Sequence, residues 1–119
     1  GLAIDPRFMV QGDFTMESGK AAAHKLLENG ELPRALFVLN DLMAIGVILA
    51  LQDAGYTVPD DVAVIGFDDI PEALTTIAQD PRDMGQKLAR ALFERIEDPS
   101  ISERRAFESP YRLVIRQSG

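Results

Sequence analysis

An α/β fold with a mostly parallel sheet is predicted by three features of this sequence. Two short apolar runs, Ala35 to Leu39 and Val62 to Phe67, do not alternate with polar residues, which suits parallel strands buried on both faces. A long apolar stretch with helical spacing joins them, completing a βαβ unit. Each run closes in polar residues, Asn40-Asp41 and Asp68-Asp69, and in open parallel sheets ligands bind beyond the carboxyl ends of the strands.

The elements follow in order. Residues 8–14, FMVQGDF, predict a short strand ending at Gly12-Asp13, and Thr15 predicts a helix N-cap with Glu17 in the first turn. A helix from about Met16 to Glu28 places Ala22, Ala23, Leu26 and Leu27 on one face, with Gly30 as its stop. The lone histidine, His24, falls on the polar side, so it reads as a surface imidazole and not as a catalytic base. After the first run, Asn40 or Asp41 caps a helix to about Ala54, with Gly55 just past its end. Leu42, Ile45, Ile48 and Leu49 cover one side of this helix, and Met43, Val47 and Leu51 widen the apolar surface past what one sheet covers. A subunit interface or a neighbouring helix of the same chain must cover the excess.

Pro59-Asp60-Asp61 is turn chemistry leading into the second run, and Leu74 to Ile77 reads as another short extended segment. Asp80-Pro81 opens a helix to about Glu97, with Met84, Leu88, Leu92 and Ile96 in one stripe suited to a sheet. Tyr111 to Arg116 closes the chain as a strand with Leu113 and Ile115 on one face. The order is therefore β-α-β-α-β-β-α-β.

Composition removes several function classes. The 119 residues, 46% hydrophobic and 26% charged, are enough for one domain with a core and carry no low-complexity tract. The formal charge of −7 argues against nucleic-acid binding by this polypeptide, and Arg104-Arg105 reads as a solvated strand edge. No run approaches the ~20 apolar residues of a membrane span, and no signal peptide is visible. Zero cysteines exclude disulfides and thiolate chemistry and fit a cytoplasmic protein, while a single histidine removes the usual metal clusters and serine–histidine triads. The start, GLAIDPRF, lacks an initiator Met and reads as a cut from a longer chain.

Two kinds of chemistry compete at the strand ends. Asp13, Asp41, Asp68 and Asp69 all follow predicted strands and could gather to hold Mg²⁺ for phosphoryl transfer. Asp41 and Asp69 are equally explained as caps or turn formers, no Lys stands at a strand end, and no glycine-rich phosphate loop is present. The second reading makes the same residues hydrogen-bonders of a small molecule. Asn40 offers donors and an acceptor, Asp68 accepts from vicinal hydroxyls or ring N–H groups, and Phe14 or Phe67 lies against a sugar or base face. Against it stands the possibility that Asn40 only caps its helix and the phenylalanines are core.

Five stretches in order, VQGDF-T-ESG from Val10, ALFVLNDLMAIG from Ala35, AGYTVPDDVAVIGFDDIP from Ala54, LTTIAQDPRDMG from Leu74 and the terminal RLVIRQS, resemble the lactose/galactose repressor family of bacterial transcription regulators. The resemblance covers nearly the whole chain. It implies the C-terminal part of a periplasmic-binding-protein-like type I effector domain, a three-layer α/β sandwich with a parallel sheet. A sugar or purine would lie in the cleft between two subdomains, and its binding would alter a dimer's grip on operator DNA through an N-terminal headpiece. By position, Phe14 resembles the aromatic that stacks on the effector, Asn40 and Asp68 the polar pair that bonds it, and Phe67 and Gln79 residues near the cleft and hinge. The helix carrying Leu42, Ile45, Ile48 and Leu49 resembles the dimer-interface helix. Residues 1–79 and 111–116 would form the C-terminal subdomain, and the 81–98 helix would pack on the other subdomain.

Two departures accompany the resemblance. The headpiece and nearly all of the N-terminal subdomain are absent, and the family has several more residues between Ala73 and Leu74, so this chain has either a shortened loop or a stretch left out. The expectation is a non-enzymatic, cofactor-free effector-binding part of a cytoplasmic regulator. A periplasmic sugar-binding protein of a transporter, and a Mg²⁺-dependent phosphoryl-transfer or receiver-like domain, are the alternatives.

Overall fold

The structure, a computed structural model, describes residues 4–70 and 74–119. Its elements are a 3₁₀ turn at Pro6–Phe8, α1 (Met16–Glu28), β1 (Ala35–Phe37), α2 (Asp41–Asp53), β2 (Ala63–Phe67), β3 (Thr75–Gln79), α3 (Pro81–Glu97) and β4 (Tyr111–Val114). The strands form one sheet in the order β1-β2-β3-β4, with β1, β2 and β3 mutually parallel. The expected α/β class with a mostly parallel sheet is what the chain adopts. The junction between Ala73 and Leu74 lies outside the described residues.

The chain divides into two units, 1–78 with 113–119, and 79–112. In the first, α1 and α2 pack on one another and on the sheet around Ala23, Leu26, Leu36, Ala44, Val47, Ala50, Leu51, Val62, Val64 and Leu74. The two helices approach closely because each turns a glycine to the other. A Cβ on Gly19 would lie 2.2 Å from the Met43 carbonyl oxygen, and one on Gly46 2.1 Å from that of Met16. The helix ends are set locally: the Thr15 hydroxyl accepts from the Ser18 amide at 3.2 Å, and Gly30 and Gly55 take left-handed backbone just past α1 and α2.

The excess apolar surface of α2 is shared out by this packing. Met43, Ala44, Gly46, Val47, Ala50 and Leu51 are buried, so a helix of the same chain covers part of it. Leu42 and Leu49 stay 46% and 38% exposed, with Ile45 and Ile48 half-buried beside them.

The strand expected over residues 8–14 does not form. Asp5 caps the 3₁₀ turn, and at the other end the Asp13 carboxylate accepts from the Thr15 amide and hydroxyl while Phe14 sits at φ 68°, which takes the backbone out of extension. β1 is two residues shorter than the expected Ala35–Leu39, and the extended segment expected at 74–77 runs from Thr75 to Gln79.

In the second unit, Asp80 caps α3 by accepting from the Arg82 and Asp83 amides, both at 3.0 Å. No described residue of α3 is buried, and Leu88, Leu92 and Ile96 of its apolar stripe are exposed. Residues 101–105 are tied to α3 by Arg95, which donates to the Ile101 and Ser102 carbonyls, and by the Arg105–Glu94 ion pair.

Candidate functional site

The candidate site residues of the first unit lie where the first turn of α2 meets the loops after β2 and before α1. Asn40 is the N-cap of α2: its Oδ1 accepts from the Met43 amide at 3.0 Å, and its Nδ2 donates to the Phe14 carbonyl at 3.0 Å. The capping role weighed for Asn40 is therefore real, and the same amide also joins the loop carrying Phe14 to α2. The Phe14 ring itself is not core, being 61% exposed.

Phe67 ends β2, half-buried, in register with Ile77 of β3. The next two residues, Asp68 and Asp69, take φ of 119° and 62°, a left-handed pair of non-glycine residues. Such backbone costs of order 1–3 kcal/mol per residue and is found where the surroundings hold it, often at functional sites. The Asp68 amide donates to the Ile77 carbonyl at 3.1 Å, while its carboxylate is exposed and meets no hydrogen-bond donor among the described residues. Partial burial, and secondarily the nearby Asp41 carboxylate, raise its pKa above the ordinary 3.8. Gln79, exposed, is the last residue of β3 and belongs to the second unit.

Asp41, considered as a cap or a metal ligand, is neither. It is completely buried, accepting from the Thr76 hydroxyl at 2.7 Å and from the Ile70 amide at 2.9 Å. Asp69 is held by the Arg116 guanidinium, which also donates to the Leu74 carbonyl at 2.8 Å. Asp13 is engaged by Thr15 and Ser18, whose hydroxyls hold its carboxyl below the ordinary range. Among the described residues no group of three or more His, Cys, Asp or Glu could hold a metal ion.

Sequence reasoning missed the pairing of Asp41 with Thr76 and the buried Ser118, whose hydroxyl accepts from the Thr75 amide at 2.8 Å and donates to the Val64 carbonyl at 2.6 Å. No local signal marks either, because each joins positions far apart in the chain. A cavity of about 350 Å³ borders Phe14, but its other walls, among them Phe8, Val10, Leu26 and Val47, are mostly apolar apart from Gln11, and Asn40, Phe67, Asp68 and Gln79 do not line it. A shallower one of about 260 Å³ runs along Ile45, Ile48, Leu49 and Val58.

Over residues 1–119 the chain matches a family described as the periplasmic binding protein-like domain. The chain belongs to that family. Relatives of this periplasmic-binding-protein-like chain are transcription regulators. It is 40% identical over 124 residues to the HTH-type transcriptional repressor PurR of Photobacterium profundum, a match covering 99% of this chain and 37% of that protein. Among solved structures, the transcriptional regulator CelR in complex with cellobiose superposes with a TM-score of 0.91 at 34% identity, covering 99% of this chain and 38% of that one. The lac repressor dimer bound to operator and the anti-inducer ONPF does so with a TM-score of 0.79 at 32% identity, covering 90% and 39%. The chain thus spans little more than a third of the length of the regulators it matches.

Proposed function

We propose that this chain is the C-terminal part of the effector-binding domain of a bacterial transcription regulator of the lactose/galactose repressor type, and that Phe14, Asn40, Phe67, Asp68 and Gln79 face a sugar-like or purine-like effector. The observation that carries the reading is the Asp68 carboxylate, presented by left-handed backbone beyond a parallel strand without a donor of its own among the described residues. It is built to accept from hydroxyls or ring N–H groups. The exposed Phe14 ring offers an apolar face, and the second N–H of the Asn40 amide completes a small polar set. CelR, bound to cellobiose, shares this fold at 34% identity, which supports a sugar-class effector.

Residues 1–79 and 111–116 form the C-terminal subdomain in this reading, and the 81–98 helix lays its open Leu88, Leu92 and Ile96 stripe on the N-terminal subdomain. Leu42, Ile45, Ile48 and Leu49 of α2 form the homodimer contact, supported by the exposure of Leu42 and Leu49 with Ile45 and Ile48 half-buried beside them, and by the dimeric lac repressor among the relatives. Operator DNA is bound by an upstream headpiece, since the charge of −7 here suits no phosphate backbone. The protein works in the cytoplasm, needs no cofactor and is not an enzyme. A transporter's sugar-binding protein shares the fold, but the regulator relatives favour transcription control.

Thermal-shift screening of the full-length protein against sugars and purines tests the reading, because a ligand that binds only the native state raises the melting temperature. A hit is expected in one of the two classes, and Asp68→Ala is expected to abolish it. A shift retained in Asp68→Ala would refute the assigned site.

A further inference from the structure

We propose that Asp41 is the positioning residue of this site: from the first turn of α2, its buried carboxylate sets the conformation of the loop 68–70 that presents Asp68. The proposal rests on the reading of Asp68 as an effector contact. A left-handed pair such as Asp68-Asp69 persists only where neighbouring groups hold it. Three consecutive amides of this loop are each tied down. That of Asp68 donates to the Ile77 carbonyl at 3.1 Å, that of Asp69 to the Thr76 hydroxyl at 3.4 Å, and that of Ile70 to Asp41 Oδ2 at 2.9 Å. The Thr76 hydroxyl donates its own proton to Asp41 Oδ1 at 2.7 Å, so two of the three ties converge on one carboxylate.

Burying a carboxylate is costly unless it is well bonded, and Asp41 is completely buried with these two neutral donors. Its place at the N-terminus of α2, where the helix dipole favours negative charge, offsets part of that cost. β2 leaves the space it needs: a Cβ on Gly66 would lie 2.2 Å from Asp41 Oδ1. The same carboxylate puts a second negative charge behind Asp68, so this wall selects hydrogen-bond donors, hydroxyl or ring N–H, over anions.

The test uses full-length protein carrying Asp41→Ala, which removes both acceptor oxygens. Amide hydrogen exchange is read at residues 68–70, α2 and β2, and calorimetry measures affinity for hypoxanthine, cellobiose and ribose. The expected result is exchange at Ile70 faster by about tenfold or more, unchanged protection in α2, and a probe affinity weaker by about tenfold, the size of one lost bond to a charged group. Should Asp41→Ala not fold, Thr76→Val is expected to speed exchange at Asp69 and Ile70 and weaken the probe, with Thr76→Ser restoring both. Wild-type exchange at Ile70 would overturn the proposal. So would loss of protection spread over α2 and β2 with the folded protein's probe affinity unchanged. If no probe binds the wild type, the effector reading for these classes fails, and the exchange data alone decide whether Asp41 holds the loop.

Discussion

The Thr76 hydroxyl donates to the completely buried Asp41 carboxylate at 2.7 Å, joining β3 to the first turn of α2 through the interior of the sheet end. Beside this bond a Cβ on Gly66 of β2 would lie 2.2 Å from Asp41 Oδ1 and 2.8 Å from the Leu74 side chain.

Gly46→Ala is expected to destabilise the protein although alanine is the better helix former by ~1 kcal/mol. The added methyl would fall 2.1 Å from the Met16 carbonyl oxygen and 3.0 Å from the Lys20 amide nitrogen, both backbone atoms, which cannot swing aside as a side-chain tip can. Overpacking of this kind costs about 1–3 kcal/mol, so the steric term wins. Urea denaturation would show a lower midpoint at an unchanged slope.

Ser118→Ala is expected to cost about 1–3 kcal/mol, because it leaves a buried donor and acceptor of the sheet without their shared partner. The Ser118 hydroxyl accepts from the Thr75 amide and donates to the Val64 carbonyl, stapling the end of the chain across β2 and β3. Thermal melting of the Ala variant beside Ser118→Thr would separate loss of the bonds from loss of space.

Asp68→Asn is expected to weaken effector binding while raising stability at neutral pH. The sign follows from the raised pKa: native Asp68 holds its proton more tightly than the unfolded chain does, so its contribution to stability falls as pH rises through the folded value. The neutral amide removes that loss. Melting temperatures of variant and wild type should differ at neutral pH and converge below the ordinary carboxylate value of 3.8. A variant less stable than wild type at neutral pH would contradict this.

Ile45→Lys is expected to halve the mass of the full-length protein in solution without unfolding it. Ile45 is half-buried between the exposed Leu42 and Leu49, so an ammonium can reach water in a monomer but would be stranded at an apolar contact between copies. Sedimentation equilibrium reads the outcome, and a well-folded dimer would remove α2 from the interface.

Most of the element order is legible in the sequence, because helix caps, glycine stops and non-alternating apolar runs are short-range signals. Asn40 and Asp80 cap where their side chains predict, and Gly30 and Gly55 stop α1 and α2. The segment 8–14 departs from its expected strand because hydrophobic content suggests a strand without saying whether the backbone stays extended, and at Phe14 it does not. The wide apolar surface of α2 is visible as an excess, but its division between α1, the core and solvent depends on which residues α1 can approach. That is decided by Gly19 and Gly46 meeting backbone.

The candidate site divides in the same way. Phe14, Asn40, Phe67 and Asp68 are marked by their place near predicted strand ends and Gln79 only by the family resemblance, and a strand followed by polar residues is enough to put Asn40 and Asp68 at carboxyl ends. The sequence by itself therefore determined the βαβ order, the helix caps and the end of β2 where binding chemistry could sit, since each rests on residues within a few positions of one another. Only the tertiary structure decided that Asn40 uses its amide on both α2 and the Phe14 loop, and that buried Asp41 bonds the Ile70 amide and the Thr76 hydroxyl while Ser118 crosses β2 and β3. These bonds join groups brought together by packing, and burial in a low-dielectric interior makes each one costly to leave unmade.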